Sequence, residues 1–269
     1  MAELKMRRIG LVAALTCLAL FLSDRQIAAQ TYGAIQTDRP DVTESATTVQ
    51  KYRLQVESGF EYHQDKQKSG DTGQDFQTIN IANTLLRYGM TKKWELRLGA
   101  LYTTQTIKKS GSKNSQDGIH GLAIGAKYWL VRETGRIPNV AVIAAADLPL
   151  GNKQFAPDKL TPNVVFCAAH TLGERYSFGY NLGSSFEDQD HFLYHYSASL
   201  GLNMSEELSA FAEVFGDFSQ NNIPENMVDG GFAYRLQRNL QVDFSAGKAL
   251  NGNAADWFVN AGFAARLPK

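Results

Sequence analysis

Apolar and polar residues alternate strictly where Tyr52, Leu54, Val56, Ser58, Phe60 and Tyr62 interleave with Arg53, Gln55, Glu57, Gly59, Glu61 and His63. Successive side chains of a β-strand point to opposite faces, so this stretch is a ribbon with one greasy side and one wet side. The pattern returns with Trp94, Leu96, Leu98, Ala100 and Tyr102 against Glu95, Arg97, Gly99, Leu101 and Thr103. It returns again with Leu122, Ile124, Ala126, Tyr128 and Leu130 against Gly121, Ala123, Gly125 and Lys127. Later copies run through Tyr176, Phe178, Tyr180 and Leu182, then Phe192, Tyr194, Tyr196, Ala198, Leu200 and Leu202, and finally Trp257, Val259, Ala261, Phe263 and Ala265. Less regular stretches near 76–89, 139–150, 160–172, 207–217, 225–236 and 239–247 bring the expected count to about twelve, each long enough to cross a bilayer as a tilted strand.

A soluble β-sandwich would alternate too, and the links between strands separate the two cases. Those near 89–93, 132–138, 172–175, 203–207 and 236–239 read as short, whereas those near 63–75, 106–118, 150–161, 217–226 and 248–256 read as longer and polar. Only the 186–191 link is short where a long one is due. Tight turns on one rim and extended loops on the other are what a membrane barrel requires, with both termini on the short-turn, periplasmic side when the strand number is even. Aromatic residues gather toward strand ends, at Tyr52, Tyr62, Trp94, Tyr102, Tyr128, Trp129, Tyr176, Phe186, Phe192 and Trp257, as interfacial girdles do. The expected fold is all-β: a single antiparallel up-and-down transmembrane β-barrel of about twelve strands over residues 52–267.

The N-terminus reads as an export signal over residues 1–29, because Lys5, Arg7 and Arg8 precede an apolar run from Ile9 to Leu22 that leads to Ala28 and Ala29. The run is shorter than the roughly 20 residues of a spanning helix, and cleavage is expected after Ala29. Cys17 lies within the signal, so the mature chain keeps Cys167 alone and forms no internal disulfide. The 269 residues carry 27 bases and 27 acids; the first 29 hold four of the bases and two of the acids, leaving 23 and 25. Such a balance offers no basic field to nucleic acid.

Charges on the wet faces, Arg53, Glu57, Glu61, Glu95, Arg97, Lys127, Glu213, Asp243 and Arg266, are expected to point into the lumen, since an Arg or Lys facing mid-bilayer lipid costs roughly 2–4 kcal/mol. There they either form a paired network that fills the interior or line a solute path. Residues 30–51 form a charged lead-in, in which Asp38, Arg39, Asp41 and Glu44 cannot lie against lipid. Arg39 could pair bidentately with Glu57 or Glu61 and make the segment a partial plug; a simple capped entry to the first strand is the alternative.

The segment Gln36, Thr37, Asp38, Arg39, Pro40, Asp41, Val42, Thr43, Glu44, Ser45 resembles the opening motif of the family named for the MetA pathway of phenol degradation. Leu86, Arg87, Tyr88, Gly89, Met90, Thr91 and Trp94, Glu95, Leu96, Arg97, Leu98, Gly99 resemble its second hairpin, and Asn251 to Val259 its final loop and strand. The resemblance spans roughly residues 36–267 and implies an outer-membrane barrel described as a transporter, with a name that links it to uptake of aromatic or other hydrophobic compounds. One departure is the end of the chain, Leu267, Pro268, Lys269, where such barrels often place an aromatic residue that helps assembly.

An enzyme is not expected. His195 and Ser197, two apart on one strand, share a face with the spacing of outer-membrane phospholipase, but the orienting third group is missing and the pair faces the lumen. His63, His120, His170 and His191 lack metal-ligand spacing, and no phosphate- or dinucleotide-binding glycine motif is present. The expectation is therefore a passive channel or carrier without cofactor or metal. Its partners would be outer-membrane lipid, a small-molecule solute and the barrel-assembly machinery, with no nucleic acid. A plugged structural or surface-binding barrel is the alternative reading, and a lipid hydrolase a third.

Overall fold

The computed structural model describes residues 33–67, 74–109, 112–187, 191–219, 224–251 and 254–268. The expected signal peptide, its cleavage point and Cys17 lie outside them. Twelve strands follow in order: β1 (Leu54–Gln67), β2 (Gln74–Gly89), β3 (Trp94–Lys109), β4 (Ser112–Val131), β5 (Asn139–Asp147), β6 (Thr161–Leu172), β7 (Tyr176–Glu187), β8 (His191–Asn203), β9 (Leu208–Phe218), β10 (Glu225–Gln237), β11 (Leu240–Ala249) and β12 (Trp257–Leu267). Each pairs antiparallel with its neighbours in sequence, and β1 pairs with β12 from Leu54 opposite Leu267 to Gln64 opposite Trp257, which closes the barrel. Closure leaves no strand edge, so every barrel strand has a partner on both sides.

The two faces are inverted relative to a soluble protein. Outward residues are apolar and open, among them Leu98, Ile124, Phe166, Leu182 at 63% exposure, Leu200, Phe232 and Phe244. The largest fully buried side chains are instead Arg87, Lys127, Gln55, Glu57 and Glu95. A closed barrel with an apolar outer belt and a polar interior is built for a bilayer, where unsatisfied backbone groups and exposed charge are both costly. Aromatic rings mark the two edges of the belt. Trp94 and Tyr128 stand 4.6 Å apart beside the short 90–93 turn, and Tyr62 and Trp257 stand 5.3 Å apart toward the opposite rim.

Two of the long links expected from the sequence are corrected. Residues 63–67, 74–75, 106–109 and 112–118 are in strand, so that β1 to β4 have 14, 16, 16 and 20 residues and pair as far as Lys109 opposite Ser112. A bilayer crossing uses only about 9–11 residues. The excess forms polar hairpins wet on both faces, where period-two alternation has nothing to record. Register also shifts where Phe60 faces the bulge at Ala82 (φ 53°) and where Ala100 faces the bulge at Gly121 (φ 62°), a conformation that glycine adopts without strain. The first bulge turns both Asn80 and Asn83 toward Glu61.

Candidate functional site: a charged segment inside the barrel

Ahead of β1 the chain does not leave along the rim. Residues 35–49 bond to inward-facing side chains on β1, β2, β3, β4, β8, β9, β11 and β12, which only a segment lying within the closed barrel can reach. Its Arg39–Pro40 peptide bond is cis.

On one wall, Asp38 sits among three bases. Its carboxylate lies 3.1 Å from Arg87, 2.7 Å from Arg97 and 3.1 Å from Lys127. Arg87 also grips Glu57 at 2.7 Å and Glu95 at 2.8 Å, and Arg97 holds both Glu44 oxygens at 2.7 Å. Backbone groups complete the network: Asp38 N–H donates to Glu57 at 3.0 Å, Val49 N–H to Glu95 at 2.7 Å, and Lys127 Nζ donates to the Ser45 carbonyl at 2.9 Å. Burial by itself pushes the Asp38 carboxyl up, but Arg87, Lys127 and Arg97 outweigh it and hold it well below the usual carboxylate range. Burial dominates at Glu44 and pushes its carboxyl up to about 7 despite Arg97.

On the other wall the segment meets acids. Glu213 accepts from Val42 N–H and Thr43 N–H, each at 2.7 Å, and from the Thr43 hydroxyl. Arg39 donates to Asp243 at 3.0 Å and Asn260 at 2.6 Å. Its guanidinium fits there because Gly59 and Gly262, directly paired across β1 and β12, lack side chains; a Cβ on either would stand 2.6 Å from Arg39 Cζ. Burial and then the nearby Glu213 push Asp41 well above its usual range. Between these walls Ala46 covers a small apolar patch of Ala141, Ile143 and Cys167. Cavities of about 250 Å³ and 240 Å³ flank the segment, the first lined by Asp38, Arg39, Glu57 and Glu61, the second by Arg39, Asp41, Ser199 and Gln241.

The expected pairing of Arg39 with Glu57 or Glu61 is corrected. Glu57 is taken by Arg87, Gln55 and Asp38 N–H, while Glu61 binds Asn80, Asn83 and His63. Arg53 and Arg266 stand apart from the cluster at the short-turn rim, Arg53 just before β1 beside Gln50 and Gly89 and Arg266 beside Arg238 and Asn239. Two residues escaped the sequence reading. Arg87, the hub of the first wall, lies on β2 beyond the bulge at Ala82, which breaks the alternation that would have flagged it. Asp229 lies opposite Glu213 in the β9–β10 register, on the wet side of Val228, Phe232 and Tyr234, where a strict count of alternate residues finds it. The pair His195 and Ser197 does not come together: Ser197 bonds Thr43, and His195 bonds Asp217 and Ser185. His195 has a carboxylate partner in Asp217, on the neighbouring strand where local spacing cannot show it.

A closed twelve-strand barrel, apolar outside and charged within, is an outer-membrane-type β-barrel protein. Residues 37–267 match the family described as "Putative MetA-pathway of phenol degradation", and the chain belongs to it. No curated protein matches the sequence. Among solved structures, an outer membrane channel from Pseudomonas putida is 11% identical, with a TM-score of 0.60 over 90% of this chain and 100% of that one. The translocator domain of the autotransporter NalP from Neisseria meningitidis is 9% identical, with a TM-score of 0.55 over 80% and 88%. At such identities the likeness is one of fold.

Proposed function

We propose that this chain is a passive outer-membrane channel for small molecules, including phenol-like aromatic compounds, and that residues 34–49 are a plug that holds its lumen closed. The observation that carries the reading is Asp38, seated between Arg87, Arg97 and Lys127 inside the barrel. A lead-in that merely capped the first strand would have no reason to cross the lumen and bond to both walls. The family description ties its members to phenol degradation, and the structure of the Pseudomonas putida relative is described as a channel. Solute would move down its gradient when the segment withdraws, past the inward charges Arg87, Arg97, Lys127, Glu57 and Glu95.

The proposed topology puts both termini in the periplasm. The turns at 90–93, 173–175, 204–207 and 238–239 share a rim with the start of β1 and the end of β12, and tight turns face the periplasm in such barrels. The barrel-assembly machinery and outer-membrane lipid are its partners in this reading. Planar-bilayer recording of the refolded mature chain, with and without small aromatic acids and phenols, tests it. Discrete openings that a solute blocks support a channel. A folded barrel that never conducts, even without the segment, would favour a structural or surface-binding role instead.

A further inference from the structure

Three adjacent strands bring Ser185, His195 and Asp217 into one line on the inner face of the barrel. Ser185 Oγ stands 3.1 Å from His195 Nε2, and His195 Nδ1 stands 2.5 Å from Asp217 Oδ1. His195 pairs directly with Asp217 across β8 and β9, and with Gly183 across β7 and β8, so that Ser185 is its diagonal neighbour. Each imidazole nitrogen has the partner that a general base needs. The carboxylate accepts the Nδ1 proton and fixes the tautomer, which leaves Nε2 bare to accept from the serine hydroxyl. Ser185 is 8% exposed, whereas His195 and Asp217 open to the lumen with side chains 36% and 46% exposed. Asn163 lies directly opposite Ser185 on β6 and points to the same face. It also borders a slot of about 180 Å³ whose other walls include Leu85, Ile143, Ala145 and Val165, with the charged pair Glu44 and Arg97 at one side.

We propose that Ser185, His195 and Asp217 form a serine-hydrolase site inside the barrel, acting on carboxylic esters with a compact apolar acyl group. Ser185 Oγ attacks the ester carbonyl and passes its proton to His195 Nε2. The new Oγ–C bond forms, the C–O bond to the alcohol breaks, and the alcohol leaves with the proton from His195. Water then attacks the acyl group and gives a proton to His195; the Oγ–C bond breaks, the acid departs, and the proton returns to Ser185. The amide of Asn163, opposite Ser185 in the register, is the donor assigned to the oxyanion. The apolar slot sets the acyl size. This assignment stands on β6 to β9 and not on the transport reading.

The test is reaction of the refolded, full mature barrel with a fluorophosphonate probe, together with hydrolysis of p-nitrophenyl butyrate, with heat-modifiable gel migration as the check that each variant is folded. The expected result is a single adduct mapped to Ser185, absent in Ser185→Ala. His195→Gln should slow labelling about 100-fold or more, the size of a lost general base. Ester hydrolysis should fall in step with labelling in both variants, a parallel that a merely structural hydrogen-bond chain would not produce. Should Ser185→Ala fail to fold, Ser185→Cys keeps the side chain's size and should lose the phosphonate reaction while gaining rapid alkylation by iodoacetamide. A folded barrel that stays unlabelled, or that labels elsewhere, overturns the assignment. Conductance is read separately, so neither proposal's failure is mistaken for the other's.

Discussion

The two walls that grip the inner segment are built from opposite chemistry. On the β1–β4 side, Arg87, Arg97 and Lys127 meet Asp38, Glu44, Glu57 and Glu95, three bases against four acids, each base bonded to at least two carboxylates. On the β9–β11 side the segment's Arg39 bonds Asp243, while Asp41, Glu213 and Asp229 crowd one another. The first wall leaves none of its buried polar atoms without a partner, whereas on the second Asp243 Oδ2 and Arg39 Nε have none among the described residues and Asp229 meets another carboxyl, that of Glu213. A fully bonded buried ion network resists the removal of any member, because whatever remains is a charge without a counterion. A wall of crowded carboxylates resists full ionisation instead. The first wall is therefore the anchor, and the second is the half that yields.

The largest expected effect comes from breaking the anchor. Asp38→Ala leaves Arg87, Arg97 and Lys127 around an empty centre, and removing one partner of a buried ionic group costs about 3–5 kcal/mol. Single-channel records of this variant should show openings far more frequent than those of the parent. Glu213→Ala comes next. It strips the acceptor from Val42 N–H and Thr43 N–H, a loss of about 1–3 kcal/mol, and should give brief, partial openings while the anchor still holds. If Glu213→Ala opened the barrel as much as Asp38→Ala, the contrast between the walls would be wrong.

Gly262→Ala tests the second wall by shape rather than charge. A methyl group there collides with the Arg39 guanidinium and with the Ser58 carbonyl, and overpacking of this kind costs about 1–3 kcal/mol. Conductance should rise modestly. An unchanged record in Gly262→Ala would mean that Arg39 does not rest on the paired glycines.

The smallest effect is that of pH. Glu44, raised from 4.5 to about 7 by burial, and Asp41, raised by burial and Glu213, bind protons more readily docked than free. Their contribution to docking is complete below the free values and fades as pH climbs through the docked ones, about 7 for Glu44. Asp38 has the opposite sign: held low by Arg87, Lys127 and Arg97, it contributes fully above its free value of 3.8 and loses that only as pH falls through its docked value. Openings should thus be somewhat more frequent at about pH 8 than at about pH 5.5. In Asp41→Asn combined with Glu44→Gln the difference should shrink; a dependence that stays at full size must arise elsewhere.

The contrast between the walls also shows what a sequence can carry. Alternation made the strands legible wherever one face met lipid and the other water, as from Trp94 to Tyr102, and it identified Glu57, Glu95, Arg97, Lys127, Glu213 and Asp243 as inward. It failed where that asymmetry ends. The hairpins beyond Gln64 and Gln105 are wet on both faces and were read as loops, and the bulge at Ala82 concealed Arg87. Asp38, Arg39, Asp41 and Glu44 were legible as charges that lipid would reject, but their partners were not. Asp38 and Lys127 are 89 residues apart, and Arg39 and Asp243 are 204 apart. Closure of the barrel joins them, and no local pattern records it. The Ser185, His195 and Asp217 line was hidden for the same reason, since it runs across strands rather than along one.

The central claim is that residues 34–49 close the lumen, and the most direct measurement is single-channel conductance of the refolded mature chain with and without residues 31–48. The account predicts rare openings in the intact chain and a larger, steady conductance in the truncated one, with heat-modifiable migration unchanged. Equal conductance in the two folded barrels would contradict it.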